Sequence, residues 1–304
     1  SYDIYYTKSI FGYFNFVQTW HGSPFKKVGV DAADHLSDNI QFSANRTSLK
    51  YRFLKSIKFY SRQKYKVIVS PSEEVSRIFK GAFENDNTVI TGYPRNDVFF
   101  NKSLALNDYS DLLGIEKYNK IVLYAPTFRD NADSVTAFSE DLSGYNEQLV
   151  AAGFHLVIKK HPWEKNLVVP KGLSNITDIS GDVDDIQELL PYVDLLITDY
   201  SSSFYDHMLS GNHTIFYAYD FEDYLANCRG IYFDYKEELQ GPFADNEEQL
   251  FKLIFTSDEW TKDAEYQKEF KRVLDRYNQF KDGNSSNRLL KHLFKNFSIE
   301  EKSL

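Results

Sequence analysis

Residues 194–206 read Asp-Leu-Leu-Ile-Thr-Asp-Tyr-Ser-Ser-Ser-Phe-Tyr-Asp. The short apolar run predicts a buried strand over Leu195–Thr198. The serines that follow indicate a helix N-terminus, where backbone N–H groups and the Ser201 and Ser202 hydroxyls would bind phosphate. Asp206 lies one helical turn further, on the same face as Ser202. Simple N-capping needs only one serine, so the three together predict a ligand site.

The same strand–turn–helix pattern recurs along the chain. Short β-branched runs predict further strands at residues 67–70, 88–91, 121–125, 156–159 and 214–217. Between them lie helix-like stretches such as Asp184–Val193, whose apolar residues recur at helical spacing. Strands that alternate with helices favour an α/β fold with parallel sheets.

The domain organisation is predicted from a polar stretch, Asn101–Asn119. It separates an N-terminal domain, residues 1–100, from a C-terminal domain, residues 101–304. The end of the chain reads as helices broken at Lys281–Asn284, and we expect these helices to pack back toward the N-terminal domain.

Composition excludes several classes of protein. Of the 304 residues, 42% are hydrophobic and 16% aromatic, which excludes a disordered chain. The single cysteine, Cys228, excludes an internal disulfide framework and a cysteine-rich zinc site. Residues 1–100 carry 14 Lys and Arg against 9 Asp and Glu, whereas the remainder carries 21 against 35. This asymmetry predicts different partners for the two halves, and we expect no nucleic acid among them.

Two further strand ends carry polar groups. The strand predicted at residues 121–125 runs into Pro126, Thr127 and Arg129. The strand predicted at residues 156–159 ends in Lys159-Lys160-His161, before a proline. Ligands of open α/β sheets bind at the carboxyl ends of the strands, and arginine matches phosphate geometry. The alternatives are a surface Arg–Asp pair in the first case and a solvated strand end in the second.

Residues 17–27 read Val-Gln-Thr-Trp-His-Gly-Ser-Pro-Phe-Lys-Lys. Gly22 would let a ligand approach the backbone closely. Pro24 suits the first turn of a helix capped by Ser23, which would place His21 at a helix N-terminus that favours anions. The alternative is a hydrogen-bonded histidine in a turn.

A basic segment precedes the strand predicted at residues 67–70. Arg46–Lys66 contains eight basic residues and no acidic one, and its apolar residues fall at helical spacing. This pattern predicts an amphipathic helix on an anionic membrane surface, bound through Arg46, Lys50, Arg52, Lys55, Lys58 and Arg62. The alternative is a solvated helix packed on the protein's own core.

We expect neither a cofactor nor a bound metal. Asp182-Val-Asp184 resembles a short acidic metal motif of nucleotide-sugar transferases, but such patterns are common by chance. We interpret Asp182 as a helix cap.

Taken together, the segments resemble a known family. In order they are residues 18–27, 92–97, 124–130, 160–162, 197–202, 216–220, 229–235 and 277–283. This set is similar to the CDP-glycerol glycerophosphotransferases of teichoic acid and capsule synthesis. The resemblance runs from Val17 to about Arg288.

The resemblance implies a GT-B-like α/β fold with two Rossmann-like domains and a cleft between them. The short stretch before His21 implies either that the N-terminal domain is shortened or that some of its strands precede the given sequence. The family's usual His-Gly-Thr-Pro carries Ser23 in place of threonine here. Carried over by motif, the substrate-binding positions are Gly22, Ser23, Pro24, Phe25, Arg95, Pro126, Thr127, Lys159, Lys160, Ser201, Ser202 and Asp206, and Arg129 joins them from its strand end.

The implied activity is transfer of glycerol phosphate from CDP-glycerol to a hydroxyl of a lipid-linked teichoic acid acceptor, with release of CMP. His21 and His161 are the predicted catalytic residues, and the enzyme is expected at the cytoplasmic face of the membrane. The alternatives are a sister enzyme that uses CDP-ribitol or builds a capsule polymer, and a non-catalytic GT-B module that binds membrane and partners. The sequence leaves open whether one unit or many are added.

Overall fold

The computed structural model describes residues 16–32, 65–101, 119–127, 137–139, 141–161, 169, 172–227, 230–239 and 241–297. In chain order, the strands described are β1 (Phe16–Gln18), β2 (Tyr65–Ser70), β3 (Thr88–Ile90), β4 (Lys120–Tyr124), β5 (Phe154–Ile158), β6 (Ile176–Asp178), β7 (Leu195–Thr198), β8 (His213–Tyr217) and β9 (Phe243–Ala244). The α-helices are α1 (Glu73–Phe83), α2 (Ser143–Ala152), α3 (Ile186–Leu189), α4 (Ser203–His207), α5 (Phe221–Asn227), α6 (Tyr235–Glu238), α7 (Glu247–Phe255), α8 (Ser257–Trp260), α9 (Ala264–Tyr277) and α10 (Ser285–Phe297).

The chain forms two compact units. Unit 1 contains residues 1–94, 225–234 and 276–304, and unit 2 contains residues 95–224 and 235–275. Both units therefore draw on separated parts of the sequence. The domain limits predicted above remain a prediction.

Unit 1 is built on a parallel sheet in the order β1-β2-β3. The centre of β2, residues 67–69, is fully buried, as a middle strand covered on both faces requires. Helix α1 follows β2 directly, and the Ser72 side chain caps it by accepting a hydrogen bond from the Val75 N–H. Its buried residues, which include Phe79 and Phe83, form the apolar face of the helix.

Unit 2 is built on a six-stranded sheet in the order β6-β5-β4-β7-β8-β9, and every neighbouring pair is parallel. Its core contains side chains from most of these strands, among them Val122, Leu156 and Ile197, all fully buried. The chain runs outward from β4 to β6 and then returns to place β7 on the other side of β4. The strand order therefore reverses between β4 and β7, and such a reversal point is where open α/β sheets bind ligands.

The predicted α/β class with parallel sheets is confirmed, and the prediction for β7 coincides with the observed strand. The other predicted strands are displaced by one or two residues at their ends. The helix predicted over Asp184–Val193 is wrong in extent, because α3 ends at Leu189 and a 3₁₀ turn follows over Leu190–Tyr192. Pro191 lacks the N–H that a continued α-helix needs.

The basic helix predicted over Arg46–Lys66 is wrong at its end, since Tyr65 and Lys66 already belong to β2. A β-branched run follows them, and pairing with β1 extends the strand backward. The rest of that segment, including all six predicted membrane-binding residues, lies outside the described residues. None of the helices described is long and apolar enough to cross a membrane.

Candidate active site

The carboxyl ends of β4, β5 and β7 bring several predicted residues to one edge of unit 2. Thr127 follows β4, Lys159–His161 follows β5, and Ser201 and Ser202 follow β7. Since the three strands are parallel and adjacent, these side chains share the sheet edge at the reversal point. Strands in a sheet lie about 4.8 Å apart, so the loops are direct neighbours.

Asp199 joins the first and last of these loops. Its two carboxylate oxygens accept hydrogen bonds from the Thr127 N–H at 2.9 and 3.1 Å. The Tyr235 hydroxyl donates to the Asp199 carbonyl at 3.0 Å, and Asp199 itself is 1% exposed. Asp199 therefore holds the loop after β4 against the loop after β7. Sequence reasoning did not single it out, although its place directly after a buried strand was a usable signal.

The lysines after β5 are both engaged with protein groups. The Lys159 ammonium donates to the Val183 carbonyl. Burial lowers the pKa of Lys159, and the neighbouring Asp184 and Asp185 partly oppose this. Lys160 forms an ion pair with Asp178 at 2.7 Å. Burial alone would raise the pKa of Asp178, but hydrogen bonds from Lys160 and Ser180 lower it overall.

His161 is exposed at the end of the same strand. The three basic residues therefore follow one another at the end of β5 as predicted, but the charge of Lys160 is already balanced by Asp178.

The helix predicted after the serines is confirmed as α4, which begins at Ser203 with Ser202 at the N-cap position. The side chain of Ser202 makes no capping hydrogen bond. The Ser201 hydroxyl takes that role instead, accepting from the Ser203 N–H at 3.3 Å and lying 3.0 Å from the Ser203 hydroxyl. The two serines thus differ: Ser201 organises the turn, while Ser202 is not used for capping.

Asp206 lies in a buried polar network that also contains Arg95. The Arg95 guanidinium donates to Asp206 Oδ2 through Nη2 at 2.7 Å and through Nε at 3.2 Å. Asn96 donates to Asp206 Oδ1 at 2.9 Å, and Gln187 donates to the Asn96 side-chain oxygen at 2.9 Å. Both carboxylate oxygens therefore already accept hydrogen bonds, which fixes the orientation of this side chain. Asn96 was not singled out although it follows Arg95, and nothing in the sequence pointed to Gln187.

In unit 1, the turn after β1 carries His21. Trp20 has a φ of 52°, a left-handed conformation that costs a non-glycine residue about 1–2 kcal/mol. The Gln18 side chain accepts from the Trp20 N–H at 3.0 Å. The indole packs edge-on against Phe83, with ring centroids 5.0 Å apart, and stacks on the His21 imidazole at 4.4 Å. These contacts hold Trp20 in the strained conformation and present an exposed His21.

The helix predicted to begin at Pro24 is wrong. Residues 23–25 form no helix, and Lys26 forms an antiparallel bridge with Ile231. The flanking hydrogen bonds run from Lys27 N–H to the Gly230 carbonyl at 3.0 Å, and from Tyr232 N–H to the Phe25 carbonyl at 3.1 Å. These groups are committed to residues 230–232, so they cannot form a helical turn. His21 therefore does not lie at a helix N-terminus.

Ser23 nevertheless remains of interest in this turn. It is 2% exposed, and within the described part of the chain its hydroxyl has no hydrogen-bond partner. A buried hydroxyl without a partner costs free energy that a bound ligand could recover. Gly22, Pro24 and Phe25, the other predicted binding residues of this motif, are buried around it.

A family profile of CDP-glycerol:poly(glycerophosphate) glycerophosphotransferases matches residues 11–295, nearly the whole chain. The chain belongs to this family. The predicted family and the predicted enzyme class, a glycerophosphotransferase, are therefore confirmed.

Individual relatives of this glycerophosphotransferase are similar over most of its length. A teichoic acid glycerol-phosphate transferase of Staphylococcus aureus is 31% identical over 92% of this chain and 71% of its own. A teichoic acid poly(glycerol phosphate) polymerase of Bacillus spizizenii is 32% identical over 91% and 69%. The structure of the wall teichoic acid polymerase TagF matches with a TM-score of 0.74 and 26% identity, over 93% of this chain and 69% of that one. The predicted GT-B-like class is confirmed by this match.

Of the remaining predicted positions of the glycerophosphotransferase, some lie within the described residues and one does not. Pro126 and Thr127 lie half-buried after β4. Arg129 lies outside the described residues. The acidic motif does not contain the cap we expected, since Asp185, and not Asp182, caps α3 by accepting from the Gln187 N–H at 2.9 Å.

Proposed function

We propose that this chain transfers glycerol phosphate from CDP-glycerol to a hydroxyl of a lipid-linked teichoic acid, or related polyol-phosphate, acceptor and releases CMP. Family membership supports the reaction class. The observation that carries the assignment of a site is the gathering of Thr127, Lys159–His161 and Ser201–Ser202 at the reversal point of one parallel sheet. That edge is where the fold class binds nucleotides.

The donor diphosphate is proposed to bind along this edge. Lys159 and His161 supply cationic or donor groups, and the Ser202 hydroxyl supplies a further donor. Arg129, which follows Thr127 closely in sequence, is proposed to complete the set. The Arg95–Asp206 pair lies in the same unit, and we propose that the Arg95 guanidinium also contacts the donor.

The chemistry is an in-line displacement at phosphorus. The acceptor oxygen forms a bond to the phosphorus that bears glycerol, the bond from that phosphorus to CMP breaks, and CMP leaves with the bonding electrons. Such a transition state depends on positioning and on stabilisation of charge. We assign His21 as the general base that takes the proton of the acceptor hydroxyl, because histidine titrates near neutrality. His161 contacts the donor diphosphate.

A direct assay tests the reaction. The purified chain is incubated with CDP-glycerol, or with CDP-ribitol, together with a lipid-linked acceptor, and CMP and product lengths are resolved. CMP release with CDP-glycerol and an acceptor longer by glycerol phosphate supports the proposal. Preference for CDP-ribitol would identify the sister activity, and no CMP from either donor would favour a non-catalytic module. We expect EDTA to leave the rate unchanged, since lysine, arginine and histidine supply the positive charge.

We further propose that the enzyme works as a peripheral protein at the cytoplasmic face of the membrane. The support is the basic segment 46–66, with eight basic and no acidic residues. Near an anionic surface each such residue contributes about 1 kcal/mol at most. Changing Lys50, Lys55 and Lys58 together to Glu should release the protein from anionic vesicles.

The matched control for membrane binding reverses Lys268, Lys271 and Arg272 to Glu, which changes the net charge equally on the exposed face of α9. Release by the first triple variant alone supports docking through the basic segment. Equal release by both would mean that binding follows only the net charge.

A further inference from the structure

The stretch of residues 277–288 contains the connection between α9 and α10 and the first turn of α10, and it includes a family motif that the proposed function leaves without a role. Two hydrogen bonds connect it to the carboxyl edge of the unit 1 sheet. The Gln279 N–H donates to the carbonyl of Pro71, which follows β2, at 3.0 Å. Arg288 Nε donates to the carbonyl of Thr91, which follows β3, at 2.8 Å. The strands are parallel, so this is the same edge from which the His21 turn leaves β1.

Arg288 is held firmly in this position. Its two terminal nitrogens donate to the carboxylate of Asp282 at 2.8 and 2.9 Å. Its guanidinium also lies over the Phe280 ring, 3.8 Å from the centroid. A planar guanidinium can make the paired hydrogen bonds and the stacking contact simultaneously, which an ammonium cannot. Asp282 and Phe280 of the motif therefore fix the Arg288 guanidinium, and Arg288 in turn fixes the backbone after β3.

Gly92 shows how closely α10 approaches that backbone. Its φ is 78°, and a Cβ at this position would lie 2.4 Å from the Ser285 hydroxyl oxygen. Only glycine allows both this backbone conformation and this approach. The first turn of α10 is therefore packed directly against the residue that precedes Tyr93.

Tyr93 connects this support to the histidine turn. It is 1% exposed and packs in an apolar cluster with Val67, Val69 and Leu289 of α10. Its hydroxyl donates to the Gly22 carbonyl at 3.1 Å. The path from Arg288 to the residue beside His21 is therefore continuous: Arg288 fixes Thr91, α10 packs on Gly92 and Tyr93, and Tyr93 holds Gly22.

We propose that Tyr93 and Arg288 are positioning residues that hold the His21–Gly22 turn for activation of the acceptor hydroxyl. Trp20 braces the turn from one side through its stacking on His21, and Tyr93 fixes the peptide carbonyl on the other. The C-terminal segment thus belongs to the acceptor half of the catalytic machinery. This inference rests on the proposed role of His21.

The test is a double-mutant cycle on kcat. Tyr93→Phe removes only the hydroxyl and should lower kcat about 3- to 10-fold, the effect of one buried hydrogen bond, with unchanged affinity for CDP-glycerol. In a His21→Ala background the same change should lower kcat less than about 2-fold, because the turn no longer carries the group being positioned. Tyr266→Phe is the matched control, since it removes a part-buried hydroxyl 3.1 Å from His213 in unit 2. It should leave kcat unchanged in both backgrounds.

A merely structural tyrosine would give a different pattern. Equal losses from Tyr93→Phe with and without His21, or a loss matched by Tyr266→Phe, would overturn the inference while leaving the proposed function intact. Absence of CMP release and transfer by the unaltered protein would instead overturn the proposed function.

Arg288→Lys gives a second readout, because it keeps the charge but loses the paired bonds and the stacking. It should lower kcat about 10-fold with little change in KM for the donor, whereas Arg272→Lys on the surface of α9 should change neither. An unchanged kcat for Arg288→Lys would remove the C-terminal segment from the machinery.

Discussion

The proposed donor-binding residues of unit 2 and the His21 turn of unit 1 are held in place by different means. In unit 2, the polar side chains after β4, β5 and β7 are fixed largely by their neighbours in the same sheet edge, as Asp199 fixes the Thr127 loop. In unit 1, the His21 turn is also fixed by segments outside the sheet, since Ile231 bridges to Lys26 and α10 packs against Tyr93, whose hydroxyl donates to the Gly22 carbonyl. Loops of a single sheet edge therefore fix the donor side, and packing of separate chain segments fixes the histidine turn.

The largest expected effect separates the two histidines. His21→Ala should lower kcat by about 10²–10⁴-fold, the usual contribution of a general base, and should barely change donor affinity. His161→Ala should weaken donor binding as well as the rate. Steady-state kinetics together with calorimetric titration of CDP-glycerol distinguish these results. Loss of donor affinity in His21→Ala with near-normal kcat would make His21 a phosphate ligand.

The difference between the two regions also explains what sequence reasoning could reach. The pattern of an apolar run followed by polar residues identified Lys159–His161 and Ser201–Ser202. This worked because parallel strands all end at the same edge of the sheet, so the residues that follow them lie at that edge. The same reasoning placed His21 at a helix N-terminus on the strength of Ser23 and Pro24. That was wrong, because the residues that bridge to this segment, 230–232, lie some 200 positions away and leave no mark on the local sequence.

The fold shows the same limit. The buried strand β7 was predicted to the residue, since four consecutive apolar or β-branched positions are hard to place elsewhere. The edge strands β6 and β9, of three and two residues, were missed because neither consists of the β-branched residues that identified β3, which is equally short. Gln187 could not be predicted as part of the Asp206 network, since only the fold brings it to Asn96.

The second prediction concerns that network and the stability of unit 2. Asp206→Ala leaves Arg95 and Asn96 without their acceptor, and should lower the free energy of unfolding by about 3 kcal/mol. The matched control is Asp258→Ala, which removes the exposed ion pair with Lys120 and should cost less than about 1 kcal/mol. Denaturant titration measures both. Equal costs would show that the Asp206 network stabilises unit 2 no more than an exposed ion pair does.

A smaller effect distinguishes the two serines. Ser201 organises the turn before α4, whereas the Ser202 side chain makes no capping hydrogen bond. Ser202→Ala should therefore weaken CDP-glycerol binding about 10-fold, the effect of one hydrogen bond to a charged phosphate, with unchanged stability. Ser201→Ala should cost about 1 kcal/mol of stability as a lost cap. If Ser202→Ala binds the donor normally, the donor site does not use this hydroxyl.

A further effect is a dependence of stability on pH that originates in unit 2. Burial lowers the pKa of His155 to about 4 and that of His207 to about 4, against about 6.5 in the unfolded chain. His207 lies 3.0 Å from the Val193 carbonyl through Nε2, and among the described residues its Nδ1 has no partner, so protonation would bury an uncompensated charge. The neutral form is favoured by folding, so its stabilisation is fully present above pH 6.5.

That stabilisation should be lost as the pH falls from about 6.5 to about 4, because the unfolded chain binds protons first. Each histidine should contribute a slope of about 1 kcal/mol per pH unit in the free energy of unfolding. Denaturant titration between pH 4 and 8 measures the slope, and His155→Gln, which retains a donor toward Thr177, should reduce it by about that amount. The variant and the unaltered protein should show the same slope above pH 7. An unchanged acid slope in His155→Gln would mean that the fall in stability comes from His207 and from carboxylates, and that burial of His155 contributes nothing to it.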